Sequence, residues 1–249
     1  MTEPFRWKNC HADVLSSRYG EMARSYVRDI VEPSIAAMTQ RIEKLNTLSQ
    51  GDDVGAAFAV GPAEELLRAT LMGYCLSLQA LWEKQIRGYL ESCARELKAG
   101  QGAVHKSRTG TWDDLNRLFE QVRGVPLSAF DEFTSLNLLQ LLGSACRHGS
   151  GSSLERLTVQ YPELWPPDDS VALIPPPPRA PQEPQRTAEN LAISADRLRS
   201  LAAAIDSFWR ETEYIYNESI ARKHPSLEAA LVTQRKQRAG RGRPWDPAA

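Results

Sequence analysis

Histidine and cysteine are both scarce in this sequence, with four of each among 249 residues. The cysteines form no Cys-x-x-Cys pair and no two histidines stand at the spacing of metal ligands, so we expect no metal site. Three of the four cysteines fall on or next to the apolar stripes of expected helices. We therefore interpret all four as reduced core residues: Cys10, Cys75, Cys93 and Cys146.

Long apolar runs are missing as well. No stretch approaches the roughly 18 apolar residues of a membrane-spanning helix. The opening Met-Thr-Glu-Pro has neither the charged nor the apolar region of a secretory signal. From these two absences we expect a cytoplasmic protein with no membrane partner.

The glycine-rich motifs that bind phosphates are also absent. The sequence contains no Gly-x-x-x-x-Gly-Lys-Ser/Thr, no Gly-x-Gly-x-x-Gly and no Gly-x-Ser-x-Gly. This excludes a P-loop nucleotide hydrolase and dinucleotide chemistry, and we expect no cofactor. The formal net charge of −1 adds no global attraction to nucleic acid, so any such binding needs a local patch.

What the sequence does contain is apolar residues at the three-to-four spacing of amphipathic helices. Five helices follow from these stripes, and their expected ranges are 15–48 with a bend at Pro33, 62–97, 111–122, 128–149 and 187–221. Thr111 with Asp114 predicts a capped start for the third of them, and Ser153 predicts a further short helix through Leu157. Segments 50–61 and 101–110 carry no such stripe and are predicted to be loops.

No strand pattern and no internal repeat of useful length are present. The predicted fold is therefore all-α, an antiparallel bundle of four to five long helices plus short helices. One domain is expected over residues 1–222, with a proline-rich connector at 174–186 inside it, because the helix after the connector must pack its stripe on the earlier helices. Residues 223–249 are predicted to be a flexible, disordered basic tail.

Five basic residues of that tail precede its next acidic residue, Asp246. They are Arg235, Lys236, Arg238, Arg241 and Arg243. Such a cluster can bind nucleic acid phosphates through salt-sensitive contacts. It can also be only a solvated chain end, which is the more common role of a short charged tail.

Arg147-His148-Gly149 is the most informative tripeptide of the chain. In one interpretation it is only a helix end, because basic residues favour the negative end of a helix dipole and glycine commonly follows the last turn. In the other, the two side chains form a site for a phosphodiester, with His148 transferring a proton and Arg147 binding the phosphate. The two interpretations are compatible with each other.

The stretch from Leu136 through Arg147-His148-Gly149-Ser150-Gly151-Ser152-Ser153 to Leu157 resembles the HEPN-like helical proteins of bacteria. The similarity extends upstream to the helix with Ser77-Leu78-Gln79-Ala80-Leu81-Trp82 and downstream to Tyr161-Pro162-Glu163-Leu164-Trp165 and Phe208-Trp209. It spans most of residues 15–220.

The resemblance implies an antiparallel helical bundle, often a homodimer, whose active members cut RNA without a metal in toxin–antitoxin or anti-phage systems. Their motif is an arginine, four to six residues and then a histidine. His148 matches the histidine, but the positions where the arginine would stand are Leu141, Leu142 and Gly143. Arg6 and His11 have the spacing but lie outside the similar region, so the role is not carried over to them.

Two functions follow from these observations. The first is a metal-independent ribonuclease in which His148 is the acid or base and Arg147 stabilises charge, the site being completed across a homodimer. The second is a catalytically silent HEPN-like subunit that binds a partner protein or nucleic acid. A helical scaffold unrelated to RNA is a third reading that the sequence leaves open.

Overall fold

A computed structural model describes residues 4–51, 53–165 and 186–247. These ranges contain helices and no strand, so the predicted all-α class is confirmed. The helices are α1 (His11–Tyr26), α2 (Glu32–Ser49), α3 (Val54–Glu96), α4 (Gln101–Thr109), α5 (Trp112–Arg123), α6 (Phe133–His148), α7 (Ser152–Gln160), α8 (Ala195–Glu218) and α9 (Pro225–Arg238). Short 3-10 turns occupy Leu127–Ala129, Pro162–Leu164 and Ala188–Asn190.

The described chain forms two compact units. Unit 1 consists of residues 4–28, 80–137 and 199–247, and unit 2 of residues 29–51, 53–79, 138–165 and 186–198. The single domain expected over residues 1–222 and the antiparallel helix order stay predictions. Residues 174–185 of the proline-rich connector lie outside the described residues.

Aromatic side chains fill the core of unit 1. Trp82 of α3 packs edge-on against Phe208 of α8, with ring centroids 5.2 Å apart. Tyr89, one heptad after Trp82, packs against Trp209 at 5.3 Å. Edge-to-face pairs of this kind add to the large apolar area that each ring buries, so aromatic packing stabilises the contact between α3 and α8.

Leucine side chains dominate the core of unit 2. Those of α6 recur on one helical face, and the turns after α7 contribute others. The buried leucines of this unit are Leu78, Leu138, Leu139, Leu141, Leu142, Leu157, Leu164, Leu191 and Leu198. The predicted stripe of α6 is therefore the face that this helix buries.

A short π-helix lies directly before Pro33, where we predicted a bend, and the bend itself stays a prediction. Residues Val27–Val31 have π geometry between α1 and α2, and Pro33 lies in the first turn of α2. A proline has no N–H to donate to the preceding turn, and a π segment directly before it is a common place for such an irregularity in a helix.

The predicted loop at 50–61 is wrong, because α3 begins at Val54 and Pro62 lies inside it. The side chain of Asp53 accepts a hydrogen bond from the backbone N–H of Ala56 at 3.1 Å. This is the contact of an N-cap, and it starts the helix well before Pro62. The alanines that follow are strong helix formers even without a periodic stripe.

The predicted connection at 101–110 is also wrong, because Gln101–Thr109 is a helix, α4. Its C-terminal end is held by Arg87 of α3, which donates hydrogen bonds to the carbonyls of Ser107, Arg108 and Gly110. The unpaired carbonyls of a last turn need such donors. Here they come from a distant part of the chain, which local periodicity does not reveal.

Helix boundaries set by local capping signals are confirmed. Thr111 accepts a hydrogen bond from the N–H of Asp114, and the Asp114 carboxylate accepts one from the Thr111 N–H, so the predicted capping box opens α5. Gly149, with a φ of 70°, ends α6 as expected.

Two other predicted helices begin later in the chain than expected. The sixth helix starts at Phe133 instead of residue 128, after a 3-10 turn. The eighth starts at Ala195 instead of residue 187, because the chain first forms the 3-10 turn Ala188–Asn190 and the N–H of Ala192 then bonds the carbonyl of Leu164 at 2.8 Å.

The disordered tail predicted from residue 223 onward is not confirmed. Pro225–Arg238 form α9, and Trp245 beyond it is only 1% exposed in the core of unit 1. Burying an indole removes a large apolar surface from water, which accounts for an ordered chain end. Among the described helices, none is long and apolar enough to cross a membrane.

Candidate functional site

The tripeptide singled out in the sequence lies at the C-terminal end of α6 in unit 2. Arg147 and His148 form the last turn of the helix, and both side chains are exposed. The N–H of Gly149 bonds the carbonyl of Ala145 at 2.9 Å, and its positive φ turns the chain away from the helix axis. This is the helix-end geometry that glycine favours.

A chain of three hydrogen-bonded side chains fixes Arg147. Its guanidinium donates to Oε1 of Gln79 at 3.1 Å, and Nε2 of Gln79 donates to Oε1 of Gln140 at 3.0 Å. Gln79 belongs to α3 and is only 3% exposed, whereas Arg147 reaches solvent. A buried amide that is satisfied on both sides holds a rigid position, so it orients the arginine at the surface.

Gly143 makes this arrangement possible by letting α6 approach α3. A Cβ at position 143 would lie 2.7 Å from Cβ of Gln79 and 2.8 Å from its Cδ, which is closer than real side chains come. The next residue on the same face of α6, one turn later, is Arg147. Gln79 therefore covers the backbone at Gly143 and bonds the side chain at Arg147.

The turn after α6 leads directly into the N-terminus of a second helix. Gly149 and Gly151 both have positive φ, and α7 begins at Ser152. The first N–H groups of a helix point outward without intrahelical partners and favour anions. Arg156, one turn further along α7, is exposed.

The predicted nucleic-acid contacts at the chain end lie among carboxylates of unit 1. Glu211 of α8, almost fully buried, forms ion pairs with three arginines at 2.8 to 3.4 Å, and these are Arg238, Arg241 and Arg243. Arg235 bonds Glu218 at 2.6 Å and Glu228 at 2.5 Å. Lys236 is exposed. The role of all five in nucleic acid binding stays a prediction.

A buried polar cluster in unit 1 was missed by the sequence reading. The Arg123 guanidinium pairs with the Asp13 carboxylate at 2.8 Å, and the Tyr89 hydroxyl donates to the same carboxylate at 2.8 Å. The Sγ atoms of Cys10 and Cys93 lie 3.1 Å apart beside them. The sequence signal for this cluster was Asp13, which stands three residues after the N-cap Cys10. Nothing in the local sequence shows that Asp13 would pair with residues of α3 and α5.

An apolar groove runs along the helices α2 and α3 of unit 2. None of the residues of α2 is buried, and α3 exposes Phe58 to 79%. The groove has a volume of about 400 Å³. We call it the hairpin groove, and its lining residues are Met38, Arg41, Ala59, Pro62, Ala63 and Leu66.

Metal ligation finds no support in the part of the chain that the structure describes, because no group of three or more His, Cys, Asp or Glu side chains is arranged to hold an ion there. Comparison with protein-family models, with curated proteins and with solved structures finds no match to this chain.

Proposed function

We propose that this chain is a HEPN-like helical protein of a bacterial defence or toxin–antitoxin type system, and that it binds RNA at the C-terminal end of α6 without cutting it. The proposal that the chain does not cut RNA rests on the environment of Gly143. This residue stands at one of the three positions where the HEPN motif would place its arginine. Its backbone is covered by Gln79, and Leu141 and Leu142 are core residues. An arginine at any of these three positions would place its charge inside the core, and the loss of hydration of that charge would cost a large free energy.

The binding part of the proposal rests on the charges at this helix end. Arg147 is held by Gln79 with its guanidinium at the surface, and His148 is exposed beside it. Only Gly149–Gly151 separate them from the N-terminus of α7, which favours anions. A phosphate group at this turn would meet an oriented guanidinium and the positive end of the α7 dipole.

Titration of a labelled single-stranded RNA, followed by fluorescence anisotropy, tests this proposal. We expect Arg147→Ala to weaken binding severalfold and to lower the salt dependence by about one phosphate contact. Arg18→Ala is the matched control, because Arg18 is an exposed arginine of α1 in unit 1 and its loss removes the same charge. RNA affinity equal in wild type and Arg147→Ala would remove this site from the proposal.

The exposure of His148 supports a second candidate, a metal-independent ribonuclease. A general acid or base must reach its substrate, and this side chain is open to solvent at the end of α6. The missing arginine would then come from a second copy of the chain. Incubation of wild type and His148→Ala with transfer RNA in EDTA distinguishes the two candidate functions. Only the ribonuclease predicts that the wild type cuts the RNA and that His148→Ala does not.

We also propose that the chain forms a homodimer through the hairpin groove. Two helices alone bury only one face of each, and the exposed Phe58 and Leu66 extend the apolar surface. Exposed apolar patches of this kind mark contact sites. Arg41 on α2 and Glu65 on α3 are both exposed, so a two-fold arrangement can pair opposite charges in both directions.

Light scattering after size-exclusion chromatography tests the homodimer. We expect a dimer for the wild type and a monomer for Phe58→Ser combined with Leu66→Ser. Val159→Ser is the matched control, because Val159 is equally exposed but lies on α7. A wild type that stays monomeric at its highest soluble concentration contradicts this proposal.

A further inference from the structure

The two thiols in the buried polar cluster of unit 1 are placed for chemistry with each other. Sγ of Cys10 and Sγ of Cys93 are 3.1 Å apart, although 83 positions separate the residues in the chain. A disulfide bond has a length of about 2.05 Å, so the sulfurs need to approach by only about 1 Å, which small side-chain rotations allow. Both residues are free cysteines in this structure.

The surroundings of the two thiols differ in a way that assigns a role to each. The Arg123 guanidinium donates towards Sγ of Cys10 at 3.7 Å and towards Sγ of Cys93 at 3.9 Å. Cys10 lies at the N-cap of α1, and its contacts with Cys93, with Arg123 and with the backbone N–H of Asp13 lower its pKa. The contact with Cys10 and burial raise the pKa of Cys93. Either thiol can donate the hydrogen bond between them, so the attacking thiol is Cys10 because it lies at a helix N-terminus.

Access to the pair is through Cys10. It lies at the cap of α1, where the preceding residues 4–10 are not helical, and it is 8% exposed. The segment is fixed by Trp7, whose ring stacks on the Arg123 guanidinium at 3.8 Å and whose backbone N–H donates to the Ser219 hydroxyl at 3.1 Å. Cys93 on α3 is 0% exposed, so Cys10 is the first of the two thiols that an oxidant from solvent meets.

We propose that Cys10 and Cys93 are an oxidant-sensitive pair that forms a reversible disulfide with a hydroperoxide as the oxidant. The Cys10 sulfur attacks one oxygen of the hydroperoxide as a thiolate, the O–O bond breaks, and the leaving oxygen takes the proton that the Cys10 thiol gave up. Cys10 is then a sulfenic acid. The Cys93 sulfur attacks the Cys10 sulfur, the S–O bond breaks, and hydroxide leaves as water with the proton of the Cys93 thiol.

The electrons balance over these two reaction steps. Two thiols lose two electrons in total, and the hydroperoxide is reduced to water, or to water and an alcohol, by the same two electrons. The Asp13 carboxylate keeps the Arg123 guanidinium in place through the 2.8 Å ion pair and takes no part in the transfer. This pair is independent of the RNA site that we propose in unit 2.

Peptide mapping of the full chain after treatment with hydrogen peroxide tests this inference. The treated protein is blocked with an alkylating reagent under denaturing conditions, digested without reductant and analysed by mass spectrometry. We expect a linked peptide that contains Cys10 and Cys93, the loss of two of the four alkylatable thiols, and the recovery of both after dithiothreitol. Cys10→Ser should keep Cys93 alkylatable after the same treatment.

The second thiol contact of the chain provides the comparison. Cys75 and Cys146 hydrogen-bond each other in unit 2, where Cys146 is half-buried. A linked Cys75–Cys146 peptide with Cys10 and Cys93 still fully alkylated would overturn the inference. So would over-oxidation of Cys10 to a sulfinic acid without any linked peptide. Both outcomes are read from the wild type, so neither depends on how a variant folds.

Discussion

Gln79 connects three positions of unit 2 through one side chain. Its amide bonds Arg147 and Gln140, and its aliphatic part lies against the backbone of Gly143. An unpaired buried amide would cost free energy, so the orientation of Gln79 is set by both partners together. The position of Arg147 at the surface therefore depends on Gly143, because only a residue without a side chain leaves room for Gln79 there.

A Gly143→Ala substitution should expose this dependence. The new Cβ would collide with the buried Gln79, and overpacking of this kind costs about 1–3 kcal/mol in the free energy of unfolding. Gly73→Ala is the control within the same unit, because a Cβ there meets no atom within 4 Å and the substitution should stabilise α3 slightly. Urea denaturation measures both, and equal stabilities of the two variants would contradict this packing.

Glu91 of α3 provides a pH-dependent contact with α4. Hydrogen bonds from Arg108 at 2.5 Å and from Arg95 at 2.9 Å lower the pKa of its carboxyl to about 2. A carboxyl whose folded pKa is depressed stabilises the fold above its unfolded pKa, and this contribution is lost as the pH falls from about 4.5 towards 2.

Arg108→Ala should raise the pKa of Glu91, because Arg108 is its strongest partner. Carboxyl carbon shifts in an NMR titration measure this directly. Arg117→Ala is the control, since Arg117 bonds Asp114 instead. A Glu91 titration that is the same in wild type and Arg108→Ala would show that Arg108 does not hold this carboxylate.

At the scale of the elements, α9 and the residues after it owe their order to contacts with α8. The indole N–H of Trp245 donates to Glu211 at 2.6 Å, and its ring packs on Phe130 with centroids 4.6 Å apart. Arg238 lies over the Tyr214 ring at 4.1 Å, and burial raises the pKa of Tyr214 to about 12. Charges that looked like a solvated tail are thus part of the packing of unit 1.

Trp245→Ala should therefore destabilise the protein strongly, by about 3–5 kcal/mol, as expected for the loss of a buried tryptophan. Chemical denaturation followed by circular dichroism is the measurement. Val232→Ala, at an exposed position of α9, should change the stability by less than about 0.5 kcal/mol. A small effect of Trp245→Ala would mean that the chain end is not packed as described.

Which elements the sequence predicts depends on where their stabilising contacts lie. The start of α5 and the end of α6 are set by Thr111 with Asp114 and by Gly149, residues next to the boundary itself. By contrast, α4 is stabilised by Arg87 of α3, and the missed start of α3 uses a single Asp53 cap in an alanine-rich stretch. Apolar periodicity therefore predicts neither the helix α4 nor the early start of α3.

At the scale of the whole molecule, burial is distributed unevenly among the helices. None of the residues of α2 is buried, whereas α8 buries a continuous stripe that includes Leu198, Leu201, Ile205 and Phe208. Regions with few buried contacts open at lower free energy than the core. The local stability of the helices should therefore differ widely.

Hydrogen–deuterium exchange should detect this difference. At low protein concentration we expect the amides of α2 to exchange faster than those of α8. If a second copy occupies the hairpin groove, protection of α2 should rise with protein concentration while that of α8 stays constant. Equal protection of the two helices at low concentration would contradict the exposure of α2.

The sequence by itself determined the helical class, most of the long helices, and the helix end that carries Arg147 and His148. These features depend on residue spacing within a few turns, which is visible in one dimension. Only the tertiary structure decided that Gln79 covers Gly143, that the C-terminal arginines pair with Glu211 and Glu218, and that Cys10 meets Cys93. Each of these contacts joins residues that are distant in the chain, and local patterns contain no information on which distant residues become neighbours.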